Sequence, residues 1–110
     1  VERILFKTHN AGLLDLDEFE QSFIELSVDA AEFLVSKNVR LIGIDYLSVE
    51  GFGGDGTVHR TLLATNIVIL EGLDLRAVEE GDYFLVALPL RIQGAEASPT
   101  RAVLLDGISL

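Results

Sequence analysis

Apolar residues along the chain come in short runs broken by polar turn-formers, the rhythm of strands alternating with short helices. Residues 3–8 (RILFKT) have the β-branched and aromatic content of a strand, and turn-formers at 9–12 end it. The acidic stretch 15–21 reads as an exposed excursion. Ser27 suits the N-cap of a helix over 28–37, with Asp29 complementing the dipole in its first turn. Within that helix Ala31, Leu34 and Val35 share a face, and Asn38 suits the left-handed position that ends it. Residues 39–44 (VRLIGI) are almost continuously apolar, as in a strand buried on both faces.

A loop over 45–56 follows, with glycines at 51, 53, 54 and 56. The pattern then predicts a short helix over 57–65, with Asp55 near its start and Asn66 past its end. Residues 67–70 (IVIL) form a second buried strand closed by Glu71, and 73–81 a turn of helix and a loop. A longer strand is expected over 83–92, where Pro89 cannot donate to a ladder and marks an edge or a bulge. After a loop at 94–99, residues 100–105 return as the last strand. This order predicts one α/β domain over 1–110, a mixed sheet with short helices. Pairing the strands at 39–44 and 67–70 sets Asp45 and Glu71 at strand ends, where α/β proteins build sites.

Composition narrows the partners. An apolar fraction of 49% and a mean hydropathy of +0.39 are high for so small a domain, so apolar area is expected to be covered by another segment or by a second copy. A homo-oligomer is the simplest form of that cover. No apolar run approaches the roughly 20 residues of a spanning helix, so no membrane role is expected. Charged Glu2, Arg3 and Lys7 interrupt the first apolar stretch, so nothing there reads as a signal peptide, and a cytoplasmic location is the simpler expectation. The sequence starts without Met, as a chain beginning inside a longer gene product would. A net charge of −10 repels phosphate backbones and argues against nucleic acid.

With no cysteine, a transition metal here must be held by histidine and carboxylate. His59 lies on the short helix after the glycine-rich loop, and Glu71 lies 12 positions later at the end of the next strand. A helix running back along the sheet can bring the two together, and an imidazole nitrogen with a carboxylate oxygen is half of a zinc or manganese site. The spacing alone favours an ordinary surface or core-edge histidine. Asp45 and Ser48 read as groups that hydrogen-bond backbone in the following loop. Arg101 suits a substrate carboxylate or a buried acid such as Asp45. The loop glycines match neither phosphate-binding fingerprint, so a close backbone turn accounts for them. His9 reads as a loop residue, and Phe19, Phe23 and Phe33 as core or interface groups.

Several ordered motifs carry a resemblance. Gly43, Asp45 and Ser48 form a GxDxxS strand end, followed by a helix bearing His59 and a strand ending in Glu71. Then come Leu88, Pro89, Leu90, Gly94, Ser98, Pro99, Arg101 and Ala102, in the pattern LPL…G…SPxRA. Over about residues 3–105 this succession resembles the C-terminal half of the cyclase and kynurenine formamidase family of metal-dependent hydrolases. The resemblance implies part of a swivelling β/β/α domain, with His59 and Glu71 as metal ligands. It implies one or two zinc or manganese ions per complete site, a small-molecule substrate and attack of metal-activated water on an amide or cyclic amide such as an arylformamide. The family's remaining ligands and its proton-moving histidine sit in an upstream H-x-G-T-H-x-D-x-P-x-H motif. The sequence has no such motif, its only other histidine being His9. No catalytic residue is therefore expected within these residues, which would be inactive alone, with the upstream segment or another chain completing the site. The alternative is a non-catalytic scaffold or oligomerisation module of the same fold.

Overall fold

In the computed structural model, which describes residues 1–108, the chain forms two units, one over Val1–Ala77 and one from Val78 onward. In the first, β1 (Arg3–Phe6), β2 (Leu41–Ile44) and β3 (Val68–Leu70) make a parallel sheet in that order. Register is set by Ile4 opposite Ile42, and Ile42 opposite Ile69. Two helices cross between neighbouring strands, α1 (Val28–Ser36) and α2 (Thr57–Leu63), and they pack against one another. Both crossovers therefore lie on one face, as adjacent right-handed connections require.

That face holds the core. Ile42 and Ile44 project from β2 with essentially no exposure, and Ala31, Leu34, Val58 and Leu62 meet them from the helices. Ile4, Phe6 and Ile69 complete the layer from the flanking strands. Gly43 points to the opposite face, where a Cβ would come within 2.4 Å of Leu5 and 2.7 Å of Leu73. Glycine lets those two side chains close over the strand.

Local signals in the sequence account for most boundaries. Ser27 caps α1 by accepting from the Ala30 N–H, and Asn38 and Asn66 follow the two helices at φ 58° and 61°. Three expectations need correction. The turn at 9–12 is a 3-10 helix over His9–Asp15, because the Thr8 hydroxyl accepts from the Asn10 N–H and caps it. Buried Asn10 then grips the excursion behind it, donating to the Ile24 carbonyl at 2.6 Å and accepting from the Ile24 N–H at 2.7 Å. β3 is not buried on both faces, since Val68 is 52% exposed. No turn of helix forms over 73–81: the Gly72 and Leu73 N–H groups carry the pairing with β2 onward to the Tyr46 and Ile44 carbonyls, and the Asp74 side chain then accepts from the Arg76 N–H in a turn.

The second unit is an antiparallel hairpin, β4 (Phe84–Pro89) with β5 (Thr100–Leu105). Pro89 ends its strand opposite Thr100, where the missing N–H costs least, and the Leu90 N–H bonds the Pro99 carbonyl to close the ladder. Parallel and antiparallel pairing are thus both present, each in its own sheet. No helix among the described residues is long and apolar enough to cross a membrane.

Core and edge should respond very differently to truncation. Ile42→Ala, at a site with no exposure, is expected to cost about 2–5 kcal/mol in urea unfolding. Val68→Ala on the open edge is expected to cost less than about 1 kcal/mol.

Candidate functional site

The site begins at the start of α2. Gly56 takes the N-cap with φ 89° and offers no side chain, so the helix's free N–H groups need another acceptor. Glu50 supplies it from the preceding loop. Its Oε2 accepts from the Gly56 N–H, and its Oε1 accepts from the His59 N–H at 3.0 Å. Only 7% of Glu50 is exposed, and a carboxylate so buried is held there by these donors and by the positive end of the helix.

The same Oε1 lies 3.0 Å from His59 Nδ1. On the other side of the ring, Nε2 lies 3.0 Å from Glu71 Oε2, which also accepts from the Val49 N–H at 2.8 Å. Glu71 reaches this position because β3 runs parallel to β2 with Leu70 opposite Gly43, so the residue after β3 faces the loop leaving β2. An imidazole is thus held between two carboxylates, one buried and one open. The His59 and Glu71 side chains are 34% and 31% exposed.

Electrostatics follow from that placement. Burial pulls the imidazole pKa down, but hydrogen bonds to Glu71 and Glu50 and their negative charges outweigh it, so the net shift is upward. Burial pushes Glu50 up, yet the N–H groups of His59 and Gly56 and the imidazole outweigh it, leaving Glu50 below its ordinary value. The arrangement favours an imidazolium donating to both carboxylates.

Could the open side take a cation in place of that proton? One imidazole nitrogen and one carboxylate oxygen are donors that zinc and manganese accept. Two donors about 2.0–2.1 Å from a tetrahedral ion lie roughly 3.3 Å apart, close to the observed 3.0 Å. The donor set fits as half a site. Among the described residues no group of three or more His, Asp or Glu side chains is arranged to hold a metal, because the ring itself separates Glu50 from Glu71.

Other residues named from the sequence fall elsewhere. Asp45 is fully buried, but its oxygens accept from the Thr8 N–H at 2.6 Å and the Thr8 hydroxyl at 2.7 Å, not from the following loop. Both oxygens are thereby engaged by Thr8. Ser48 does bond the following loop, accepting from the Glu50 N–H at 3.1 Å. Arg101 is exposed on β5, and His9 is exposed at the start of the 3-10 helix. Phe23 is buried, Phe19 is partly exposed against Phe23 and Tyr46, and Phe33 is 59% exposed beneath Lys37. A cleft of about 290 Å³ lies along the glycine loop, lined by Glu25, Ser27, Glu50 and Gly54 among others, and neither His59 nor Glu71 lines it. Sequence reasoning missed Glu50. Its one signal was an acid set between apolar Val49 and the first of the loop glycines.

The pKa shifts fix the sign of a pH dependence. A raised imidazole pKa contributes stability fully below 6.5, lost as pH rises through the folded value; a lowered Glu50 contributes above 4.5, lost as pH falls through its folded value. With chelator present, both contributions should coexist between about pH 4.5 and 6.5. The His59 midpoint in NMR should lie above 6.5 and drop in Glu71→Gln. A midpoint at or below 6.5 would contradict the reading.

No protein-family profile matches the chain. It is similar to Cyclase-like protein 1 of Arabidopsis thaliana, 42% identical over 109 residues that cover 96% of this chain and 43% of that protein. It is similar also to the kynurenine formamidase of Salinibacter ruber, 43% identical over 106 residues, covering 96% of this chain and 50% of that enzyme. The chain therefore spans about half the length of these curated relatives. A solved structure described as a potential metal-dependent hydrolase with cyclase activity superposes with a TM-score of 0.82 at 37% identity, over 94% of this chain and 58% of that one. With these likenesses running along nearly its whole length, the chain belongs to the cyclase and kynurenine formamidase family.

Proposed function

We propose that the chain is part of a metal-dependent hydrolase acting on an amide or cyclic amide, such as an arylformamide. The observation that carries this reading is the meeting of His59 Nε2 and Glu71 Oε2 at 3.0 Å, at a spot open to solvent. His59 and Glu71 would hold a divalent ion, zinc or manganese, in place of the proton they share. When bound, such an ion supplies the Lewis acidity that amide hydrolysis needs. The remaining donors come from polypeptide beyond these 110 residues, in the same protein or on another chain, and one or two ions per complete site follow.

This chain's own part is to orient and exclude. Glu71 is fixed by the Val49 N–H, and His59 by α2, so two donors are presented with little freedom to lose. The large side chains of Phe33, Leu63 and Val68 are each more than half exposed, which fits association with completing polypeptide or with a second copy. Cytoplasmic action on a small molecule is the accompanying reading. A non-catalytic scaffold of the same fold is the competing one.

Metal content separates the two. Assembled with the polypeptide that completes the site, the chain should carry about one or two divalent ions by elemental analysis, and His59→Ala or Glu71→Ala should remove most of that metal and at least about 100-fold of formamide hydrolysis. A complete assembly that binds no metal and tolerates both substitutions is the scaffold. Sedimentation of the 110-residue chain should show dimers or larger species, and a stable monomer at high concentration would count against the association.

A further inference from the structure

We infer that Glu50 is the positioning residue of the site: it holds the proton of His59 on Nδ1, so that Nε2 is turned out, with its lone pair, toward Glu71 and a cation. The inference rests on the proposed metal reading. The geometry comes from three nitrogens gathered on one buried carboxylate, the N–H groups of Gly56 and His59 and, 3.0 Å from Oε1, the imidazole Nδ1. The two backbone donors tie the carboxylate to α2, the helix that carries the ring, so the acceptor and the imidazole move together. A neutral imidazole has one proton for two carboxylates. A bare Nδ1 would set its lone pair against the buried carboxylate with no water to come between them, whereas a bare Nε2 leaves the open one to water or a cation, so Nδ1 keeps the proton. A ligating histidine whose other nitrogen donates to a carboxylate has its tautomer and ring angle set in this way.

The glycine loop is built around the same group. A Cβ on Gly54 would stand 2.4 Å from Glu50 Oε2, whereas a Cβ on Gly53 would meet nothing within 4 Å. The glycine at 54 is therefore accounted for by close approach to Glu50.

The test uses Zn²⁺ alone on the 110-residue chain, read by ¹⁵N NMR of the histidines. At a pH where the ring is neutral, His59 should carry its proton on Nδ1, and added Zn²⁺ should shift Nε2 while Nδ1 stays protonated. Glu50→Gln keeps the shape and an acceptor but removes the charge, and should weaken Zn²⁺ binding about tenfold or more. Gly54→Ala should weaken it in the same direction by displacing the carboxylate, and Gly53→Ala should not. A cap with no further role would change the unfolding midpoint of Glu50→Gln and leave Zn²⁺ affinity within about twofold; that result, or Zn²⁺ on Nδ1, overturns the inference. If both variants fail to fold, the tautomer in the unsubstituted chain decides. If Zn²⁺ moves neither nitrogen, the metal reading fails, and the proton on Nδ1 still decides the role of Glu50.

Discussion

A carboxylate shut away from water must be met by donors, and the way Glu50 is met organises everything around it. Its acceptors are filled by two N–H groups of α2 and by the ring that α2 carries. Helix start, loop path and imidazole rotation are therefore one constraint. The glycines let the loop come close enough, and the lack of a capping side chain at Gly56 leaves the donors free for it. A free acid there would be expensive; a fully satisfied one makes the local structure single-valued.

The carboxyl edge of the parallel sheet repeats this device. Asp45 closes the end of β2 onto Thr8 after β1, and Glu71 after β3 takes the N–H of Val49 in the loop leaving β2. Each carboxylate collects backbone donors that the strands no longer pair. The ladder itself runs on through Gly72 and Leu73. Neighbouring strands thus end in register, and a helix dropped between β2 and β3 delivers its third residue, His59, to the seam. The parallel topology places the site, and the carboxylates hold it still.

Much of this was legible in the residues. Ser27, Asn38 and Asn66 announced helix ends through local chemistry that the tertiary structure had no reason to override, and the apolar run at 39–44 announced the central strand. The meeting of His59 with Glu71 needed only a helix running back along the sheet to the next strand's end. What escaped depended on partners distant in sequence. Asn10 looks like a turn-former until Ile24 is seen against it, and Asp45 looks loop-directed until Thr8 arrives from β1. Glu50 hid because its identity as a cap is set by the fold of nine residues around a glycine turn, and no periodicity records that. The turn of helix expected within 73–81 is absent because the chain there still pairs with the end of β2 and then turns on the Asp74 side chain.

The contrast between Asp45 and the His59–Glu71 pair bears on what the seam is for. An acid whose work is architectural is found as Asp45 is, with no exposure and both oxygens on one partner residue. His59 and Glu71 instead leave about a third of each side chain in water. A hydrogen-bonded ion pair that open contributes little to stability, because solvent screens it and both side chains lose freedom. Glu71 could hold Val49 without an imidazole beside it, and Glu50 could cap α2 with any residue at 59. Stability therefore gives no strong reason for a histidine in this position. What the pair does leave is one ring nitrogen within reach of solvent while the other side of the ring is anchored on Glu50, the disposition that the proposed exchange of a proton for a cation requires.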